Sequence, residues 1–236
     1  MDRNPAPIRS ASRAPRRSLL AEIDPELLER LDRSWGPARA AGVMGSASID
    51  ALRGHARGYI LDEWRTLSGG QFMDCGTGAG ALGILLALEL PNSQWCLVDA
   101  KQRRCEMARR AVTAAGLAER VTVEHAPVDE MARGGRRESL DGVVARSFGP
   151  VPELAECALP LLKAGGSLVV SVSESTVQHW KRTLLAARMG CEMTASWTTP
   201  HGNYLSVRRT GPIPPGLPRR RPARSRSPLG SVSRET

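Results

Sequence analysis

From residue 71 onward, short continuous apolar runs alternate with amphipathic stretches, and this alternation leaves few architectures open. The runs cover 71–75, 94–99, 120–125, 141–146 and 167–173. Helical patterns lie between them, near 81–90, 101–115, 151–163 and 175–189. A strand with one face in water alternates apolar and polar side chains. These runs are continuous, as expected of strands buried on both faces of a parallel sheet. Parallel neighbours need a long crossover, and the helical stretches supply one. Two further candidate strands, 191–197 and 203–209, have no clear helix between them and are expected to form an antiparallel hairpin at the sheet edge. The expected fold is therefore α/β and Rossmann-like: a mostly parallel sheet with an antiparallel edge and two N-terminal helices packed on it.

The first of those helices starts at Asp24-Pro25, with Asp24 as N-cap and Pro25 at the first helical position. Leu27, Leu28, Leu31 and Trp35 follow at helical spacing, and Gly36-Pro37 ends it. The second is expected over about 48–67, with Ile60, Leu61, Trp64 and Leu67 on one face. The ends of the chain differ in kind. Residues 1–17 hold five Arg and one Asp without apolar period, and read as a disordered basic N-terminal tail. Residues 211–236 are rich in Pro and Arg and read as an extended C-terminal tail. Residues 18–210 would form the folded domain. Charge follows this division. The chain carries +9 overall, yet residues 18–207 hold 20 basic and 22 acidic residues. Basic ends on a near-neutral body point to a polyanionic partner met by the ends.

Several classes are unsupported by the sequence. No stretch approaches the roughly 18 consecutive apolar residues of a membrane span. No apolar segment follows the N-terminal arginines, so no secretory signal is expected. The five cysteines, Cys75, Cys96, Cys105, Cys157 and Cys191, include no C-x-x-C pair. They read as reduced, mostly buried thiols in a cytoplasmic protein. His55, His125, His179 and His201 are scattered, so no metal is expected.

The strongest local signal is Asp74-Cys75-Gly76-Thr77-Gly78-Ala79-Gly80 at the end of the first strand. Alternate glycines permit a sharp turn, and backbone N–H groups can then approach a ligand at a helix N-terminus. The second strand ends in Asp99, where an acidic group commonly accepts the hydroxyls of a ribose. A nucleoside-containing ligand follows. Gly78 to Gly83 also fit the dinucleotide fingerprint G-x-G-x-x-G. Two acidic residues favour S-adenosylmethionine instead. Asp74 stands two before the first glycine, where it can hold the methionine end, and Asp129 is placed near an adenine edge. The loop also lacks a basic residue for a phosphate. The plain alternative is a strand–helix turn without ligand.

These residues resemble the family of ribosomal RNA small subunit methyltransferase G, also called glucose-inhibited division protein B. The resemblance covers roughly residues 50–230. Asp74 to Gly83 match the family's D-x-G-T-G-x-G-x-x-G loop, and Asp99 is followed by Lys101, Arg103 and Arg104. Val144-Ala145-Arg146-Ser147-Phe148 matches its fourth-strand end, and Leu159 to Val170 its L-P-L-L, Gly-Gly and strand. Pro218-Arg219-Arg220-Arg221 through Pro228-Leu229 looks like its basic finish. The resemblance implies N7 methylation of a guanine in 16S ribosomal RNA by a cytoplasmic, generally monomeric enzyme. Carried over by position, the cofactor contacts would be Gly76, Ala81, Val128, Asp129 and Arg146. They join Asp74, Gly78, Gly80 and Asp99. The family's Asn-Leu-Thr element is not evident upstream, and His55 to Asp62 only echo its Arg-His-x-x-Asp-Ser segment. A small-molecule methyltransferase with a repurposed substrate region, and a non-catalytic RNA-binding protein, are the competing readings.

Guanine N7 has a lone pair and no proton, so the reaction needs positioning and no general base. No residue is therefore expected to be catalytic by proton transfer. Arg146 can contact the cofactor carboxylate or grip guanine O6 and N7, against an ordinary surface ion pair. Arg219, Arg220 and Arg221 are expected RNA phosphate contacts, against a solubilising tail. Arg103, Arg104, Arg109 and Arg110 read as a solvated helix face. Cys75 reads as strand packing, and Trp64, Trp95, Trp180 and Trp197 as core.

Overall fold

The structure is a computed structural model that describes residues 22–229; the expected 1–17 tail lies outside them. Its elements run in chain order. The helices α1 (Pro25–Ser34), α2 (Gly36–Ala40), α3 (Ile49–Arg57) and α4 (Asp62–Arg65) precede β1 (Gly70–Cys75). Then come α5 (Ala81–Glu89), β2 (Ser93–Asp99), α6 (Gln102–Ala114), β3 (Val121–His125), α7 (Val128–Arg133) and β4 (Leu140–Ala145). The chain continues through α8 (Val151–Ala158), a 3-10 turn, β5 (Leu162–Ser171), α9 (Glu174–Ala187), β6 (Cys191–Thr199), β7 (Gly202–Arg209) and α10 (Arg221–Arg226).

The seven strands form one sheet in the order β3-β2-β1-β4-β5-β7-β6. β1 to β5 pair in parallel, and β7 lies antiparallel to both β5 and β6. Successive strand residues face opposite sides of the sheet. Phe72, Leu97, Val144 and Val169 enter one core, with Trp35 and the apolar side of α5. Met73, Val98, Val143 and Leu168 enter the other, with α8 and Trp180. This double burial is why the runs are continuous in sequence. The chain leaves β1 for β2 and β3 on one side, then returns to β4 on the other side of β1. A crevice opens at the C-terminal ends of β1 and β4, where the crossovers diverge.

Asp24 caps α1 as expected, its Oδ1 accepting the Glu26 N–H at 2.9 Å. α3 is bound to α5 through Glu89, whose buried carboxylate takes Arg53 at 2.7 Å and Arg57 at 2.9 Å. The single helix expected over 48–67 is two helices, with a break at 58–61. Tyr204 packs against the break. A Cβ at position 58 would lie 2.1 Å from the Tyr204 ring, so Gly58 admits that ring. The Tyr204 hydroxyl donates to the His55 carbonyl at 3.0 Å, which also accepts the Gly58 N–H at 3.1 Å in the last turn of α3. Tyr59 packs edge-on against Tyr204, with ring centroids 5.2 Å apart. The helix α7 has no counterpart among the expected helices because six residues are too few to display a period.

The C-terminal segment corrects the expectation of an extended tail. Through residue 229 it lies on the body. Ile213 and Leu217 are buried in the second core, with Leu229 packed against it. Arg137 donates to the carbonyls of Leu217 and Pro214 at 2.6 and 3.3 Å. Composition argued that this segment has no core of its own, and it has none; it borrows the core of the domain. Its prolines restrict the unfolded chain, which lowers the entropy lost on docking.

Phe72 sits between Trp64 and Trp95, with centroids 5.1 and 5.0 Å away. A Cβ at Gly142 would come within 2.6 Å of the Phe72 ring and 2.7 Å of Trp64. Gly142→Ala should therefore destabilise the fold by about 1–3 kcal/mol through overpacking. Urea unfolding should give a lower midpoint at unchanged slope; an unchanged midpoint would contradict the packing described.

Candidate cofactor and substrate site

The turn after β1 is built by backbone that side-chain-bearing residues rarely adopt. Gly76, Gly78 and Gly80 have φ of +71°, +60° and +85°. The N–H groups of Gly76 and Thr77 donate to the Val98 carbonyl at 2.8 and 2.9 Å. The Gly78 N–H donates to Oδ2 of Asp99 at 3.0 Å. The end of β1 is thus tied to the end of β2. From the N-terminal side, the Trp35 indole donates to the Ala79 carbonyl at 3.0 Å. No sequence pattern marks that contact, which spans 44 residues.

Two cavities occupy the crevice. One, of about 850 Å³, is bordered by Asp99, Val128 and Asp129. The other, of about 430 Å³, is bordered by Asp74, Gly78, Ala81 and Arg146. Gly76, Arg104 and Ser147 border both. Eight of the nine expected cofactor residues therefore line one crevice. Gly80 does not line it. Its Cβ would meet Ile84 at 2.9 Å and Ala108 at 3.2 Å, so this glycine serves close helix packing.

The two loop carboxylates differ. Asp99 accepts from Gly78 and, at 2.9 Å on Oδ1, from the Lys101 N–H, with Arg104 3.5 Å away. Each oxygen keeps a second lone pair for a ligand. Asp74 is fully buried. Its Oδ2 accepts the Thr77 hydroxyl at 2.6 Å and the Gly83 N–H at 3.0 Å. Burial pushes its pKa up to about 6, against the opposing hydrogen bonds from Thr77 and Gly83 and the charge of Arg146.

Asp129 stands at the first turn of α7 and pairs through Oδ2 with Arg133 at 2.7 Å and Arg224 at 3.1 Å. Burial raises its pKa, but the two guanidinium groups outweigh that and the net shift is downward. Arg146 follows β4 and is half-buried. Ser147 after it has φ +54°, a strained conformation for a residue with a side chain, held where it borders both cavities. Cys75 is buried, and burial drives its thiol pKa well up, as befits packing.

The arginine run divides. Arg220 and Arg221 border the larger cavity. Arg219 is bound by its side chain to the buried Glu156, at 2.8 Å on each oxygen, and its N–H donates to the same carboxylate at 2.7 Å. Arg219, expected at an RNA phosphate, instead neutralises Glu156 with its guanidinium. Sequence reasoning also missed Arg224, and missed the segment at Val43, Met44 and Gly45 that borders the smaller cavity. The charge of Arg224 was visible, but a Pro-rich context hid its burial. Among the described residues, no group of three His, Cys, Asp or Glu side chains could hold a metal, and no helix is long and apolar enough to cross a membrane.

The crevice fits S-adenosylmethionine. An acceptor for a ribose stands at Asp99, and open space faces Gly78, where an added Cβ would touch nothing. Fold and site together define a Rossmann-like, S-adenosylmethionine-dependent methyltransferase. The fold is similar to that of an O-methyltransferase from Bacillus cereus, solved in complex with S-adenosylhomocysteine. The TM-score is 0.60 at 16% identity, covering 82% of this chain and 94% of that one. Residues 59–191 match the family model of rRNA small subunit methyltransferase G. The ribosomal RNA small subunit methyltransferase G of Desulfitobacterium hafniense is 31% identical over 184 residues, covering 72% of this chain and 76% of that protein. The protein of the same description from Geobacillus kaustophilus is 35% identical over 127 residues, 53% of each chain. The chain belongs to the ribosomal RNA small subunit methyltransferase G family.

The Asp74 carboxyl gives a pH signature. Between the unfolded carboxyl pKa near 4 and the folded value of about 6, the folded chain holds a proton that the unfolded chain has lost. This contribution to stability is full below that window and fades as pH rises through it. The stability gap between the wild type and Asp74→Asn should shift by roughly 2 kcal/mol from pH 4 to 7, to the disadvantage of the wild type at pH 7. Chemical denaturation at both pH values measures it; a gap independent of pH would contradict the raised pKa.

Proposed function

We propose that this chain transfers the methyl group of S-adenosylmethionine to N7 of a guanine in 16S ribosomal RNA. The observation that carries the reading is a cofactor crevice of this family made of two neighbouring cavities, both bordered by Ser147 and the smaller by Arg146, at the end of β4. Asp99 would hold the ribose, with Val128 and Asp129 beside the adenine. Asp74, Gly76, Gly78, Ala81 and Arg146 would surround the methionine portion, where bound S-adenosylmethionine supplies an electrophilic sulfonium methyl.

The target nitrogen carries no proton, so the chain has none to remove. Its residues have to hold two reactants in line and exclude alternatives, which can contribute on the order of 7–11 kcal/mol. Arg146 suits the guanine side of that task. Among the described residues no ion pair takes its guanidinium, so the plain ion-pair reading loses its support. A guanidinium can donate two parallel hydrogen bonds to O6 and N7 of a guanine, and O6 alone remains for it once N7 is the nucleophile. Arg220 and Arg221, at the rim of the larger cavity, suit the flanking phosphates. One chain supplies every group named, so the reading needs only a monomer. A 16S RNA substrate would be met in the cytoplasm.

Purified protein, labelled S-adenosylmethionine and 16S RNA transcripts test the reacting atom. Label should enter RNA made with guanosine and be absent from RNA made with 7-deazaguanosine. Equal labelling of both would exclude N7. Charge reversal at Arg220 and Arg221 should weaken RNA binding and lower its salt slope by about one to two. An unchanged slope would remove both arginines from the interface.

A further inference from the structure

Arg224 is one of two arginines that are buried in the described structure, being 6% exposed, and it comes from the segment that composition assigned to solvent. It reaches the nucleoside side of the crevice. Its Nη1 donates to the Arg219 carbonyl and lies 3.1 Å from Oδ2 of Asp129. Arg133 donates to that same oxygen at 2.7 Å. Among the described residues no hydrogen bond or ion pair engages Oδ1, and Asp129 borders the larger cavity. The carboxylate is therefore gripped by one oxygen and keeps the other for a ligand.

A second observation separates this from ordinary packing. Nε of Arg224 is buried with no hydrogen-bond partner. An orphaned buried donor costs stability, and the side chain also borders the larger cavity beside Asp129. The grip is also anchored at a distance. The buried Glu156 of α8 holds the N–H and guanidinium of Arg219, whose carbonyl in turn holds Arg224. Glu156, Arg219, Arg224 and Asp129 form one chain of contacts from α8 to the adenine side of the site.

We propose that Arg224 is a positioning residue for cofactor recognition: it fixes the Asp129 carboxylate so that Oδ1 accepts an N–H of the adenine 6-amino group. The docked C-terminal segment is then part of the cofactor site. This rests on the assignment of Asp129 to the adenine edge. The chemistry predicts a specific selectivity. Replacing the 6-amino group by a carbonyl, as in hypoxanthine, sets an oxygen against the carboxylate, and a hydrogen bond becomes a repulsion.

Calorimetry of the full chain with S-adenosylhomocysteine and S-inosylhomocysteine tests it. The wild type should prefer the adenosyl compound by about tenfold or more, as one charge-assisted hydrogen bond allows. Asp129→Ala should erase the preference. Arg224→Ala should lower it at least threefold, with partial recovery in Arg224→Lys, and should add nothing in the Asp129→Ala background. Glu156→Gln, remote from the ligand, should lower it in the same sense and serves if Arg224→Ala fails to fold. A preference lost in Asp129→Ala but intact in Arg224→Ala, Arg224→Lys and Glu156→Gln would overturn this inference alone. Affinities for both compounds that fall equally in the Arg224 variants would make Arg224 a packing residue and overturn it as well. A preference retained in Asp129→Ala would overturn the adenine assignment and this inference with it.

Discussion

The molecule depends on the tie between the ends of β1 and β2. Three backbone N–H groups of the glycine loop are spent on it, two on the Val98 carbonyl and one on the Asp99 carboxylate. The loop can make these bonds only because its glycines take positive φ. That geometry stands Asp99 at the lip of one cavity and Asp74 at the wall of the other. It also gives α5 its start at Gly80, and so sets the packing of one whole face of the sheet. The Trp35 indole holds the loop from outside, which explains why the helices before the sheet belong to the domain.

Charge closes the site from the other end of the chain. Among the described residues the near-neutral body sets no cation of its own against the buried Glu156, and only Arg133 against Asp129. Glu156 and Asp129 receive Arg219 and Arg224 from the C-terminal segment. An isolated buried carboxylate is strongly disfavoured, so docking of the segment and burial of these acids depend on each other. The basic surplus at the C-terminus thus divides into arginines that complete the fold and arginines at the crevice rim. Net charge alone could not separate the two.

What could be read from the sequence tracks the range over which each signal acts. The parallel strands, the edge hairpin, the cap at Asp24 and the loop from Asp74 to Gly80 are encoded within a few neighbouring residues, and the structure has them. The ring packed against Gly58 at the break belongs to Tyr204, 146 residues away, and periodicity over 48–67 carries no trace of it. Asp99, Asp129 and Arg146 were recognisable because each ends or follows a strand at the edge where such sheets bind ligands. Trp35, Arg224 and the 43–45 segment reach the site by tertiary packing alone. Gly80 shows the converse: a motif position whose role is helix packing rather than ligand contact.

The central claim is that this crevice directs a methyl group to one guanine N7 of small-subunit RNA. Mass spectrometry of 16S RNA from cells with and without the gene tests it most directly. One 7-methylguanosine should be present with the gene, absent without it, and restored by the wild-type chain but not by Gly78→Asp. Identical modification of the RNA in both strains would contradict it.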